Sequence, residues 1–203
     1  MKLYYSPGSC SLAPHIALEE AGLQYEAIAV DLKTHTLVAD GSDYRAINPL
    51  GYVPFMVLDD GSTLSESSIL VQYIADLAPA KNLISKCGSL QRYQQQAMLN
   101  IIATELHKGF SPLWNPSTPA EVKANFAKGV LARIAFLDEV LGKHEYLTGN
   151  NYGVDDIYAF VVTGWAGMMK MDLSHLKNLT AWREKIAARP AVAAAKRAQS
   201  LSA

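Results

Sequence analysis

Lys2-Leu3-Tyr4-Tyr5-Ser6-Pro7-Gly8-Ser9-Cys10-Ser11 stands at the start of the sequence, and its reading decides the fold. Lys2–Tyr5 is a short β-prone run, and Ser6-Pro7-Gly8 is a strong turn signal that closes it. From Ser11 to Ala21 the pattern turns helical, with Leu12, His15, Ile16 and Glu19 at three- and four-residue spacing. Gly22 supplies the expected stop. Tyr25–Leu32 reads as a second strand that alternates until Val30, and the polar segment Lys33–Asp43 shows no clear structure. The first unit is therefore βαβ.

Working outward, Asn48-Pro49-Leu50-Gly51-Tyr52-Val53-Pro54 is dense in turn formers. Phe55–Leu58 is a third strand, Asp59-Asp60-Gly61 a hairpin turn, and Ser62–Ser65 a short fourth strand. Ser65–Leu77 follows as a helix with Ile69, Val71, Tyr73, Ile74 and Leu77 on its apolar side. After Pro79 the strand signals vanish. A polar link, Lys81–Ser89, leads to helices over about Leu90–Phe110 (with room to continue past Pro112), Pro119–Leu141, Gly153–Met171, Ser174–Arg189 and Ala191–Gln199. The fold class is an α/β βαβ-ββα domain over residues 1–80 followed by an all-α domain over residues 88–203.

Composition excludes several classes of function. Half of the 203 residues are hydrophobic and 18% are charged, which suits a folded chain rather than a disordered one. A net charge of -1 gives no field for gathering phosphate, so nucleic acid is not expected as a partner. Pro7 and Gly8 interrupt any apolar core a signal peptide would need. The longest apolar stretch, Tyr158–Met171, is broken by Thr163 and Lys170 and is too short to span a bilayer. A cytoplasmic protein without membrane association is expected. The two cysteines, Cys10 and Cys87, are too few for a disulfide framework, and the five histidines form no ligand pair, so no metal is expected.

Four segments together resemble beta-class bacterial glutathione S-transferases: Tyr5–Ser11, Asn48–Pro54, Leu64-Ser65-Glu66-Ser67, and Ala103-Thr104-Glu105-Leu106-His107-Lys108-Gly109-Phe110. Each alone is weak; their order over the whole chain is specific. The resemblance implies a thioredoxin-like N-terminal domain, a helical C-terminal domain contributing the electrophile site, a homodimer, and glutathione as co-substrate in a cleft between the domains. It also implies that the bond before Pro54 is cis, as in thioredoxin-like folds, and that Asn100 and His107 face the cleft.

The residues themselves carry part of that reading. Cys10, with Ser11, sits between a turn and a helix start, where backbone N–H groups and the helix dipole favour a thiolate. It is either a reactive thiol beside the glutathione sulfur or a buried cysteine packed as a small hydrophobe. Val53 before Pro54 can offer its N–H and C=O to an extended peptide, or simply belong to a loop. Glu66 and Ser67 at a helix start match the ammonium and carboxylate of a γ-glutamyl group, and also match an ordinary cap with Ser65 as N-cap. Asn100, Thr104 and His107 share a helix face, and His107 is either an acid–base partner of the thiol or a satisfied interfacial histidine. The apolar acceptor pocket is expected among Phe110, Leu113, Trp114 and Trp165.

Two positions depart from the family pattern. A lysine commonly stands near position 35 to meet the glycine carboxylate of glutathione; here Lys33 and His35 both qualify. Where a serine or threonine caps the helix after residue 153, this chain has Gly153, leaving Asp156 to reach back to the backbone. The expected function is conjugation of the glutathione thiolate to a small apolar electrophile. Thiol–disulfide exchange or reductive dehalogenation through Cys10, and non-catalytic binding of glutathione or a hydrophobic ligand, stand as alternatives.

Overall fold

The structure, a computed structural model, describes residues 1–201. The chain divides into two compact units, one of residues 1–82 with the chain from Ala188 onward, the other Leu83–Ala187.

The first unit is built on a five-stranded sheet in the order β3-β2-β1-β4-β5. β1 (Lys2–Tyr5) is central because it carries three buried residues in a row, Leu3, Tyr4 and Tyr5. It pairs in parallel with β2 (Glu26–Asp31), Leu3 opposite Ala27, a pairing that requires a crossover; helix α1 (Leu12–Ala21) supplies it. Gly22 ends α1 in the left-handed region at φ 68°, where a glycine costs no Cβ clash. On the other side β4 (Phe55–Val57) runs antiparallel to β1, and β5 (Thr63–Ser65) closes a hairpin onto β4. Alternation puts Tyr4, Val30 and Phe55 on one face, packed with Tyr44 and Val53. Helix α2 (Ser67–Leu77) packs on α1.

Two features were not foreseen. Residues 33–43 hold a two-residue strand, β3 (Thr36–Leu37), paired antiparallel with β2 through Val30 and Leu37. Two residues carry no readable alternation. The final helix, numbered α8 (Pro190–Ala198) below, belongs to the first unit rather than to a helical domain running 88–203. Tyr5 Oη donates to the Ala198 carbonyl (3.3 Å), Gln199 meets His15 (3.0 Å), and Arg189 grips Glu20 with two bonds (2.5 and 3.0 Å). Pro190 starts this helix, where its missing N–H leaves no bond unmade.

The second unit is helical. α3 (Leu90–Ile101) is capped by Ser89, whose Oγ accepts from the Arg92 N–H. It passes into a π-helical segment, Ile102–His107, and then α4 (Lys108–Trp114), which contains Pro112 and ends within a turn of it. α5 (Ala120–Leu141), α6 (Val154–Met168) and α7 (Lys177–Ala187) complete the unit. α6 stops three residues earlier than expected, and Lys170 follows at φ 55°. Among the described residues no helix is long and apolar enough to cross a membrane.

Candidate functional site

The loop after β1 is fixed by its own serines. Ser11 is fully buried, and its Oγ accepts from the Ser6 N–H (3.1 Å) while lying 2.6 Å from Ser9 Oγ. The Ser11 N–H in turn donates to Ser9 Oγ (3.2 Å). This knot places Cys10 just ahead of Ser11, the N-cap of α1, buried, with its thiol donating to the Val53 carbonyl at 3.5 Å. The Val53–Pro54 peptide bond is cis. Ser67, the first residue of α2, is also buried and donates from Oγ to the Cys10 carbonyl at 3.3 Å. Cys10, Ser11, Val53 and Ser67 thus converge from three separate segments of one unit.

Two details differ from expectation. Ser65 ends β5 instead of capping α2; the N-cap position is Glu66, and no side chain caps the helix. Glu66 is exposed and holds φ 69°, an uncommon backbone conformation for a residue with a side chain. The first-turn N–H groups of α2 are therefore left without a side-chain acceptor. The Ser67 hydroxyl proton is committed to Cys10, so its oxygen remains as an acceptor and its backbone N–H as a donor.

Sequence reasoning missed the supports of the Val53 loop. The Tyr52 carbonyl accepts from Tyr44 Oη and from Asn48 Nδ2, each at 2.8 Å. Burial pushes the Tyr44 hydroxyl pKa up to about 12, against a smaller lowering by Asn48, so Tyr44 stays a donor at physiological pH. Tyr44 stands between the polar segment Lys33–Asp43 and the Asn48–Pro54 run, where nothing local marks it, and the partner of Asn48 cannot be read from spacing. His35 also reaches this loop, its Nδ1 3.2 Å from the Gly51 carbonyl. A Cβ at Gly51 would lie 2.6 Å from that ring nitrogen, so the close approach depends on glycine there. Lys33 is exposed, its backbone N–H bonded to Asp31.

Asn100 and His107 lie on the second unit, Asn100 exposed near the end of α3 and His107 at the end of the π-helical segment. His107 Nδ1 is 2.5 Å from Tyr158 Oη, and its ring meets the indole of Trp165 edge-on at 4.9 Å. Phe110 and Trp114 also pack edge-on against Trp165. Burial lowers the His107 pKa to about 4, with a smaller push from the Lys108 charge, so the ring is neutral at physiological pH. A neutral imidazole that accepts the Tyr158 proton at Nδ1 presents Nε2–H as a donor. Tyr158, on α6, sits 51 residues away in sequence, and no local signal points to it. Among the described residues no group of three or more His, Cys, Asp or Glu could hold a metal.

Comparison with known proteins gives a consistent answer. Residues 8–77 match the family model for the glutathione S-transferase N-terminal domain, and residues 101–190 match that for the C-terminal domain. The chain is 40% identical over 201 residues to glutathione S-transferase GstA of Escherichia coli O157:H7, covering 99% of this chain and all of that one. Among solved structures it resembles a ternary complex of BphK, a bacterial GST (47% identity, TM-score 0.96, covering 99% and 100% of the two chains). It also resembles a sphingomonad glutathione S-transferase complexed with glutathione (44%, 0.95, both chains covered fully) and a bacterial beta-class enzyme of Sphingomonas chungbukensis (41%, 0.95, both covered fully).

Proposed function

The chain belongs to the glutathione S-transferase family, in its beta class, and from that premise we propose that it joins the thiolate of glutathione to small apolar electrophiles. The observation that carries the reading is the convergence of Cys10, Val53 and Ser67 beside the uncapped start of α2.

Each part suits one feature of glutathione. The α-carboxylate of the γ-glutamyl group is received by the Ser67 N–H and the positive end of α2, and the neighbouring ammonium by Glu66 and the lone pair of Ser67 Oγ. The Val53 backbone pairs with the extended cysteinyl portion; its carbonyl has a second lone pair even while accepting from Cys10. Lys33 offers an ammonium on a flexible, exposed stem to the glycine carboxylate. His35 serves less well, because its Nδ1 is already engaged by the Gly51 carbonyl, which holds the ring against that loop.

In the chemical step the glutathione sulfur forms a bond to carbon and the leaving group departs with its electron pair. Cys10 holds the sulfur as its anion, and in this reading His107, through its Nε2–H, and Asn100 are the polar groups that the second unit contributes to the reaction. Phe110, Leu113, Trp114 and Trp165 offer apolar surface to the electrophile. A homodimer belongs to the same reading; exposed apolar side chains such as Ile69, Tyr93 and Phe126 leave surface for a second copy.

Cys10 also supports a second reading. Its thiol lies beside the backbone that receives the peptide, so its thiolate could attack a disulfide, releasing one thiolate and forming a mixed disulfide that glutathione then resolves. Glutathione-dependent turnover of an aryl halide by wild type and Cys10→Ala separates the two. Conjugation by both supports the transferase reading with Cys10 as a tuning group. Absence of turnover in wild type, with exchange on a disulfide substrate that Cys10→Ala abolishes, overturns it in favour of exchange.

A further inference from the structure

Arg183 on α7 is a guanidinium that burial strongly perturbs. Its Nη1 donates to the Phe160 carbonyl (2.8 Å) and to Thr163 Oγ1, both on α6, and its Cζ lies 4.8 Å from the centre of the Phe160 ring. Among the described residues no carboxylate stands within ion-pair distance of it. Burial alone pushes its pKa down to about 10, with no anion acting in the opposite direction. Arginine is rarely withdrawn from water without an acidic partner. With Nη1 committed, Nε and Nη2 are left as a two-pronged donor, the geometry that fits a carboxylate.

A groove of about 390 Å³ lies beside it, lined by Arg183, Gly164, Gly167, Met171, Leu173 and Thr180. That volume is within the range of small-molecule sites, about 300–1,000 Å³. Gly164 keeps the guanidinium accessible: a Cβ there would lie 3.3 Å from Arg183 Nη2. Met171 and Leu173 supply apolar wall, and Thr180 a hydroxyl that is bonded to the Leu176 carbonyl. Glu184 lines the groove as well, without reaching the guanidinium, and sets the site against ligands of higher negative charge.

We propose that this groove is a second binding site, separate from the Cys10 region, for a small monocarboxylate with an apolar body, the carboxylate held by Nε and Nη2 of Arg183 and the body by Met171 and Leu173. The occupant bridges α6 and α7 and neutralises a charge that the fold leaves unpaired.

The test is a calorimetric titration of the whole protein, with saturating glutathione present, using 4-phenylbutyrate and its uncharged amide. The carboxylate should bind at least about tenfold more tightly than the amide, the scale of a charge-assisted hydrogen-bonded pair. Arg183→Gln should lose that preference. Because Arg183 also ties α7 to α6, a second variant guards against misfolding. Gly167 is exposed, and a Cβ there meets nothing within 4 Å. Gly167→Leu should therefore fill the groove without disturbing the fold, abolishing binding while leaving glutathione-dependent turnover and the melting temperature unchanged or higher. Equal affinity for acid and amide, or carboxylate binding that survives Gly167→Leu, would overturn the proposal.

Discussion

The starts of α2 and α6 pose the same physical problem and solve it in opposite ways. Both begin at a buried point of their unit with N–H groups that the helix cannot satisfy. At α6 the chain supplies its own acceptor: Asp156 is fully buried and accepts from the N–H groups of Gly153 (3.0 Å) and Leu147 (3.1 Å) and from Trp182 Nε1 (2.9 Å). At α2 no side chain caps, Glu66 is held at φ 69° and stays exposed, and Ser67 turns its proton towards Cys10. One start is closed upon itself and organises the fold; the other is left without a side-chain cap, and in the proposed reading it receives the glutathione carboxylate. On that reading the difference is one between a structural helix terminus and a binding one.

Breaking the closed start should have the largest effect. Asp156→Ala strands three buried donors and should cost about 3 kcal/mol or more, read from the denaturant midpoint of unfolding. A melting curve indistinguishable from wild type would mean that the Asp156 bonds do not organise this unit. Next comes Gly153→Ser, which installs the favoured cap. A Cβ at Gly153 would meet Asp155 Oδ1 at 2.7 Å, Gln95 Nε2 at 2.8 Å and the Leu83 carbonyl at 3.1 Å. The substitution should therefore destabilise by roughly 1–3 kcal/mol through overpacking, where an open helix start would gain a few tenths. A raised melting temperature would refute this account of why glycine stands there.

The open start is tested by affinity. Ser67→Ala with Glu66→Gln should weaken glutathione binding by about tenfold or more while leaving the melting temperature within a few degrees. Unchanged affinity would make α2 an ordinary helix. A smaller effect is expected at His107: Tyr158→Phe releases the ring tautomer and should lower kcat several-fold with little change in KM for glutathione. Equal losses in thermal stability and in both kinetic parameters would instead mark Tyr158 as packing only.

The closed start also predicts a pH dependence. Burial raises the Asp155 pKa to about 6, and burial together with the Asp155 charge raises that of Asp156 as well. Between the ordinary carboxylate value of 3.8 and about 6, the folded protein holds a proton that the unfolded chain has released. Stability should therefore fall as pH rises through that window. Asp155→Asn should flatten the slope in melting temperatures measured across it.

Much of this was legible in the sequence because the signals were local. The turn after Tyr5, the stop at Gly22 and the hairpin at Asp59-Asp60-Gly61 each follow from a few adjacent residues. What stayed hidden depends on partners far along the chain or on backbone hydrogen bonding. The π-helical segment before His107 changes which carbonyls are bonded, not the order of side chains. The apolar face of α8 declares that it packs, but not that it packs on α1. Tyr44 and Asn48 support the Val53 loop through a carbonyl, and a carbonyl leaves no mark in a sequence. Glu66 looked like one half of an ordinary cap until its φ was known.

The central claim is that the first unit holds a glutathione site at the open start of α2 and the Val53 loop. Calorimetric titration of glutathione into the wild-type protein tests it most directly. Saturable binding at or below millimolar ligand, weakened by the Glu66→Gln and Ser67→Ala pair, is the predicted result. No detectable binding at millimolar glutathione by a folded protein would contradict the account.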